Sequence, residues 1–175
     1  MNSTSPLASL KIVPATAADL PAIAALAEVV WRAHYPGIIT AAQIDYMLAR
    51  MYDLGHLREE LAGGICFDQA LRDGQLLAFS SYGPVAPAEM KLHKLYVHPD
   101  WQRCGLGSRL LGHLEPQVRA RGFRTLILAV NKANRKAIAA YQKNGFTVRE
   151  AVTSDIGGGF VMDDFVMEKK LTPDE

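Results

Sequence analysis

Five consecutive apolar residues, Leu126-Ile127-Leu128-Ala129-Val130, set the tightest limit on what this chain can become. A short run with no polar alternation is typical of a strand covered on both faces. Such a strand needs a sheet on either side and helices packed above and below it. The rest of the chain must therefore supply both kinds of element.

It does so in alternation. Leu10-Lys11-Ile12-Val13-Pro14 reads as a first strand, ended by Pro14. Thr16-Ala17-Ala18-Asp19 fits a capping box with Asp in place of Glu. Leu20, Ile23, Ala24, Ala27, Val30 and Trp31 then recur at helical spacing, until Tyr35-Pro36-Gly37 breaks the helix. Residues 41–51 read as a second helix and 53–61 as a further helical piece or its continuation. Strands are expected over 65–71 and 76–82 around an Asp73-Gly74 turn, followed by a loop over 83–88 and a strand over 90–97. The helix expected over 105–121 carries Leu106, Leu110, Leu111, Leu114 and Val118 on one side, with Pro116 expected to kink or divide it. A strand over 123–130 and a short helix over 134–143 follow, the helix capped by Asn144-Gly145. Strands over 146–152 and 160–171 flank Gly157-Gly158-Gly159. No linker or repeat interrupts this order. It implies one α/β domain over 10–171, with flexible ends at 1–9 and 172–175.

Composition narrows the function. The 19 Lys+Arg and 18 Asp+Glu leave a formal net charge of +1, which argues against a nucleic-acid binder working by bulk charge. Cys66 and Cys104 are too few for a disulfide scaffold or a Cys-rich zinc site, and the five histidines lack zinc-ligand spacing, so no metal is expected. No apolar run approaches the roughly 18 residues of a membrane helix. The first residues lack the basic and then apolar pattern of a secretion signal. The expectation is a cytoplasmic protein that binds neither nucleic acid nor membrane.

The chemistry is concentrated between Leu95 and Ser108. The stretch runs from a strand (Leu95-Tyr96-Val97) through a loop and a glycine turn (Gln102-Arg103-Cys104-Gly105) into a helix that opens with Leu106-Gly107-Ser108. Glycines here let backbone approach a ligand, and the free N–H groups of the first helical turn favour an anion. A phosphate loop of the nucleotide-hydrolase type would need a Lys that is missing. A dinucleotide fingerprint would need a third small residue where Leu110 stands. A tight turn into a structural helix is the plain alternative. Cys104 reads as a loop-filling residue, since no His-Asp set points to a Cys nucleophile.

Gln102-Arg103-Cys104-Gly105-Leu106-Gly107 resembles the Gln/Arg-x-x-Gly-x-Gly/Ala signature of the GNAT superfamily of N-acetyltransferases. Asn134-Arg135-Lys136-Ala137-Ile138-Ala139-Ala140-Tyr141-Gln142-Lys143-Asn144-Gly145-Phe146 is similar to that family's second motif, at the expected separation and with a strand between. The element order matches over about residues 10–171. The Trp31-x-x-x-Tyr35 helix end and the last strand resemble the small-molecule amine acetyltransferases, including the PaiA-like group. The resemblance implies a mixed, mostly antiparallel sheet of about seven strands flanked by helices. It also implies a splay between the strands at 90–97 and 123–130.

The resemblance further implies acetyl-CoA as cosubstrate. Leu95, Tyr96 and Val97 would pair with its pantetheine arm. Residues Gln102, Arg103, Cys104, Gly105, Leu106, Gly107 and Ser108 would hold its pyrophosphate. Asn134 and Ala137 would contact the pantetheine region, and Tyr141 would protonate the departing thiolate. Lys91 stands near where many relatives place a Glu base, so Glu89 and His93 are the candidates for that role; they share a face with residue 91 if the strand has no bulge. His34 and Tyr35 would line the acceptor site. Asp163-Asp164 would attract a cationic amine or simply end a strand in polar residues. The implied reaction is acetyl transfer to a primary amine of a small molecule, by direct attack in a ternary complex. The alternative is a catalytically silent acyl-CoA sensor. A homodimer through the C-terminal strands is also implied.

Overall fold

The structure, a computed structural model, describes residues 5 and 7–172. The chain forms β1 (Leu10–Pro14), α1 (Leu20–His34), α2 (Ala41–Met51), α3 (Leu54–Ala62), β2 (Cys66–Arg72), β3 (Gln75–Ala86) and β4 (Glu89–Val97). It continues through α4 (Leu106–Ala120), β5 (Thr125–Asn131), α5 (Arg135–Lys143), β6 (Thr147–Gly157) and β7 (Phe160–Lys170). The seven strands make one sheet in the order β1-β2-β3-β4-β5-β7-β6. Only the β4–β5 pair is parallel. The expected mixed, mostly antiparallel sheet is the one observed.

Helices α1, α2 and α3 cover one face of the first half of the sheet. Leu20, Ile23, Ala27, Val30 and Trp31 pack with Ile44, Met47, Leu57, Phe67 and Phe79 there. Helix α4 covers the other face. Leu111, Leu114 and Val118 meet Met90, Leu92, Leu126 and Met167, while Leu106 and Leu110 meet Ala70, Leu77 and Ala78. Pro116 lies inside α4, which is one continuous element rather than two. Strand β3 runs through Gly83 and Pro84 to Ala86, where a loop was expected. Beyond Tyr82 it has lost β2 and pairs only with β4, so a residue without an N–H is tolerated on that side. Strand β6 likewise extends past Val152 to Gly157.

The apolar run of β5 corrects the first expectation. Leu126, Leu128 and Val130 are buried against the α4 side, but Ala129 on the opposite face is exposed. Among the described residues, no helix packs over the middle of that face of the second half-sheet. At its far end the β6–β7 hairpin is tied to α2, where the Tyr46 hydroxyl donates to Ile156 O at 2.6 Å and Gln43 Nε2 donates to Val161 O at 3.0 Å. Gly157, Gly158 and Gly159 all take left-handed φ, and a Cβ at Gly158 would lie 2.8 Å from the Tyr46 ring.

The flexible end expected over 1–9 is anchored at Leu7, which is buried and whose carbonyl accepts from Arg109 at 3.2 Å. Residues 1–4 and 6, and 173–175 of the other end, lie outside the described residues.

Candidate active site

Strands β4 and β5 pair over three rungs only, Glu89–Thr125, Met90–Leu126 and Lys91–Ile127. From Leu92 onward they diverge, while β4 stays paired to β3 as far as Val97–Ala78. The divergence leaves the other edge of β4, including Leu95, Tyr96 and Val97, without a strand partner among the described residues. An open edge of this kind accepts an extended ligand as it would an added strand.

A bulge marks the start of the opening. Ser81 pairs with Lys94 but Tyr82 pairs with Leu92, which leaves His93 as an extra residue in β4. Met90 and Leu92 therefore face α4, and so do Leu95 and Val97, while Lys94 and Tyr96 point the other way. Lys94 is buried and pairs with Glu60 of α3 at 2.8 Å. The common face expected for Glu89, residue 91 and His93 assumed no bulge, and the bulge removes that alignment for His93.

At the head of the opening, Arg103 and Gly105 both take left-handed φ, +63° and +82°. These reversals aim the start of α4 at the free β4 edge. Side chains of Thr40, Asp53 and Asn134 cap α2, α3 and α5, whereas α4 has no side-chain cap. Its first N–H groups are left for an anion. Nothing lies within 4 Å of a Cβ placed on Gly105 or Gly107, so open space adjoins these N–H groups. Leu106 is buried in the core, so only its backbone faces this space. Gln102 Nε2 donates to Val97 O at 3.1 Å, and the Cys104 thiol donates to Trp101 O at 2.6 Å, both bracing the turn. Ser108 Oγ accepts from Asn144 Nδ2 at 3.2 Å, which links α4 to α5. Gln102 and Arg103 are themselves exposed. An unfilled backbone edge leading to an uncapped helix end fits the arm and pyrophosphate of coenzyme A.

Tyrosines crowd the throat of the opening. Tyr141 enters from α5, its ring against Phe146, and burial raises its hydroxyl well above the usual range. Tyr35 and Tyr96 approach from the α1 side with hydroxyls 3.4 Å apart, and both are shifted upward by burial. Each of the two hydroxyls interacts electrostatically with Tyr141. Sequence reasoning missed two groups here, Trp31 Nε1 and the Tyr52 hydroxyl, which are buried beside Tyr35 and Tyr96. Trp31 entered the sequence reading through its helical spacing and the Trp31-x-x-x-Tyr35 resemblance, and Tyr52 not at all. His34 Nε2 lies 2.9 Å from Asn134 Oδ1, which also accepts from Ala137 N at 3.3 Å as the cap of α5. An amide oxygen can only accept, so His34 carries its proton on Nε2. The pair spans the mouth of the cleft between α1 and α5. A cleft of about 390 Å³ opens beside it, lined by His34, Gln102, Asn134, Arg135 and Lys136.

The carboxylates are sorted by register. Glu89 lies at the closed end of the split and is held by Arg149 at 2.6 Å. His93 is half-buried; burial first, then Lys91 and Lys94, lower its pKa to about 4. Asp163 pairs with Lys132 at 2.6 Å and is exposed. Asp164 faces the opposite way, level with Asn131 of β5, at the end of that face where Met162 packs towards α1 and α2. Its Oδ1 is buried with no hydrogen-bond partner. Burial raises its pKa while Lys91 opposes the rise. Among the described residues no group of side chains has the makeup of a metal site, and no helix is long and apolar enough to cross a membrane.

A sheet split around an open edge, with an uncapped helix end at its head and a hydroxyl at its throat, defines a class: α/β acyltransferases that lay a thioester along a strand. The chain belongs to the acetyltransferase (GNAT) family, whose sequence pattern matches residues 23–146. It is accordingly an acyltransferase with acetyl-CoA as cosubstrate. It is 27% identical over 167 residues to the spermidine N(1)-acetyltransferase of Thermoplasma acidophilum, covering 93% of this chain and 98% of that one. The crystal structure of the PaiA N-acetyltransferase from Thermoplasma acidophilum in complex with coenzyme A superposes with a TM-score of 0.79 at 27% identity, over 93% of this chain and 99% of that chain. The ribosomal protein bS18-alanine N-acetyltransferase of Escherichia coli is 41% identical over 78 residues, which is 45% of this chain and 52% of that one.

Proposed function

We propose that this enzyme transfers the acetyl group of acetyl-CoA to a primary amine of a small molecule, by direct attack in a ternary complex. The observation that carries this reading is the uncovered sheet face beside the split, where Ala129 is exposed between Ile127 and Asn131. A donor held along β4 reaches the split from the α4 and α5 side. An acceptor reaches it from the α1 side, so both are bound at once. The near full-length similarity to a spermidine acetyltransferase favours a small cationic acceptor over a protein N-terminus.

When bound, the cosubstrate supplies an acetyl group already activated as a thioester. The N–H groups on the free edge of β4 stabilise the oxygen on which charge develops. The first N–H groups of α4 hold the pyrophosphate without a broadly basic surface. Tyr141 stays protonated at neutral pH, because burial disfavours its anion, and it gives its proton to the departing sulfur. Leu95 to Val97 align the pantetheine arm, with Asn134 and Ala137 on its other side. His34 and Tyr35 border the acceptor. The expected setting is the cytoplasm, consistent with the free thiols of Cys66 and Cys104. The exposed edge strand β6 is the surface through which a homodimer would form.

Labelled acetyl-CoA offered with a panel of amines tests the reaction. Tyr141→Phe is expected to lower turnover by about 10²–10⁴-fold while leaving the Kd for coenzyme A unchanged. A variant with full turnover would remove Tyr141 from the acid role. A wild type that binds coenzyme A tightly yet acetylates no amine would point to an acyl-CoA sensor.

A further inference from the structure

We infer that Asp164 is the carboxylate that receives the acceptor's ammonium group and takes up its proton, an assignment that rests on the amine-acetyltransferase reading above. The sequence offers Asp163 and Asp164 as equals, but the strand turns them to opposite faces. Asp163 is satisfied by Lys132 and by Thr153 Oγ1 at 3.2 Å. Asp164 shares its face with Met162, which packs towards α1 and α2, and with Val166 and Glu168. It pairs across β5 with Asn131 and across β6 with Val152.

Its Oδ1 is closed off from solvent yet bonded to nothing among the described residues. A native chain rarely leaves a buried carboxylate oxygen unpaired unless a ligand meets it. The groups whose charges reach it are Lys91 on β4, Lys132 after β5, Asp163 beside it and Tyr35 just past α1. Among the described residues neither lysine forms an ion pair with it, Lys132 pairing with Asp163 instead. Lys91, on the last rung before the split, works against the upward shift that burial gives Asp164. The same positive charge disfavours a second cation nearby and so eases loss of the acceptor's proton. A primary ammonium with its N–H donors fits this site, and a neutral or anionic acceptor does not.

The step balances. An ammonium N–H bond breaks and the proton passes to Asp164 Oδ1. The freed nitrogen pair forms the C–N bond at the thioester carbonyl. The C–S bond breaks, and its electron pair on sulfur takes the Tyr141 proton. A second nitrogen proton returns to the Tyr141 oxygen, and Asp164 releases its own to water.

Asp164→Asn is the test, with Glu150→Gln, an exposed carboxylate on β6, as charge control. The expected result for Asp164→Asn is a loss of about 100-fold in kcat/KM for cationic primary amines. The acidic limb of its pH profile should disappear. Calorimetric affinity for a linear diamine should fall at least tenfold, while Kd for coenzyme A stays unchanged. Its Tm should equal or exceed the wild type, since an unpaired buried charge is removed. Wild-type kcat/KM and pH profile in Asp164→Asn would overturn the assignment, and so would a lower Tm, which marks a structural carboxylate. A wild type that acetylates no amine fails the proposed function instead. Diamine binding by that wild type, lost in Asp164→Asn, would still support the ammonium site.

Discussion

His93 occupies the extra position of the β4 bulge, and its surroundings tie stability to pH. Burial and the charges of Lys91 and Lys94 hold its pKa at about 4, against 6.5 for an ordinary His. In the unfolded chain His93 takes a proton as the pH falls through 6.5; in the native chain it does not until about 4. Its contribution is therefore complete above pH 6.5 and shrinks between pH 6.5 and 4. Asp68 and Asp164, raised by burial, bind protons more readily in the native state and offset part of that loss. The fall in Tm across this range should be smaller in His93→Asn than in the wild type. Equal slopes would show that His93 carries none of it. A pKa this low also makes His93 a weak base at neutral pH. At this scale the motif residues were legible, because Gln102 to Ser108 is one turn leading into a helix and Asn134 to Tyr141 one capped helix, each at fixed spacing. The choice between Asp163 and Asp164 was not, because it depends on which face of β7 meets α1, and only pairing register decides that.

Among the elements, β4 shows best what a linear pattern hides. Apolar residues fall at 90, 92, 95 and 97, and the change of parity between Leu92 and Leu95 is the mark of the bulge in the sequence. Read as plain alternation, the same residues put Lys94 in the α4 core. The bulge instead places Lys94 under α3, where its ammonium lies over the rings of Tyr52 and Phe67 and pairs with Glu60. Glu60→Gln would leave that ammonium buried without its counter-charge, at a cost of about 3–5 kcal/mol. Adding Lys94→Met should recover most of the loss. Urea denaturation of the single and double variants measures this, and equal stability of Glu60→Gln and wild type would show that the pair is idle. The lengths of β3 and β6 were also underestimated. Gly83-Pro84 reads as a loop in any local view, and it is a strand only because β4 lies alongside.

At the level of the whole molecule, the two half-sheets are joined by the three rungs between β4 and β5. The layered α/β class followed from strand and helix periods, and the topology from the motif resemblance. The uncovered face did not, because Leu126 to Val130 is apolar throughout and gives no sign that Ala129 meets a groove instead of a helix. A donor lying in the split would add the missing strand. Coenzyme A should therefore raise Tm and slow amide hydrogen exchange most at residues 92–97, with little change in β1 and β2. Uniform protection, or none in β4, would place the donor elsewhere. The bulge governs this larger arrangement too. It makes the register of β4 depend on a count. A chain lacking residue 93 would join Leu92 directly to Lys94 and keep every later side chain on its present face, with Leu95 and Val97 towards α4 and Lys94 and Tyr96 away from it; what it would lose is the bulge itself. In the descent of this protein, gain of a single codon there could introduce the bulge without turning any later side chain to the wrong face.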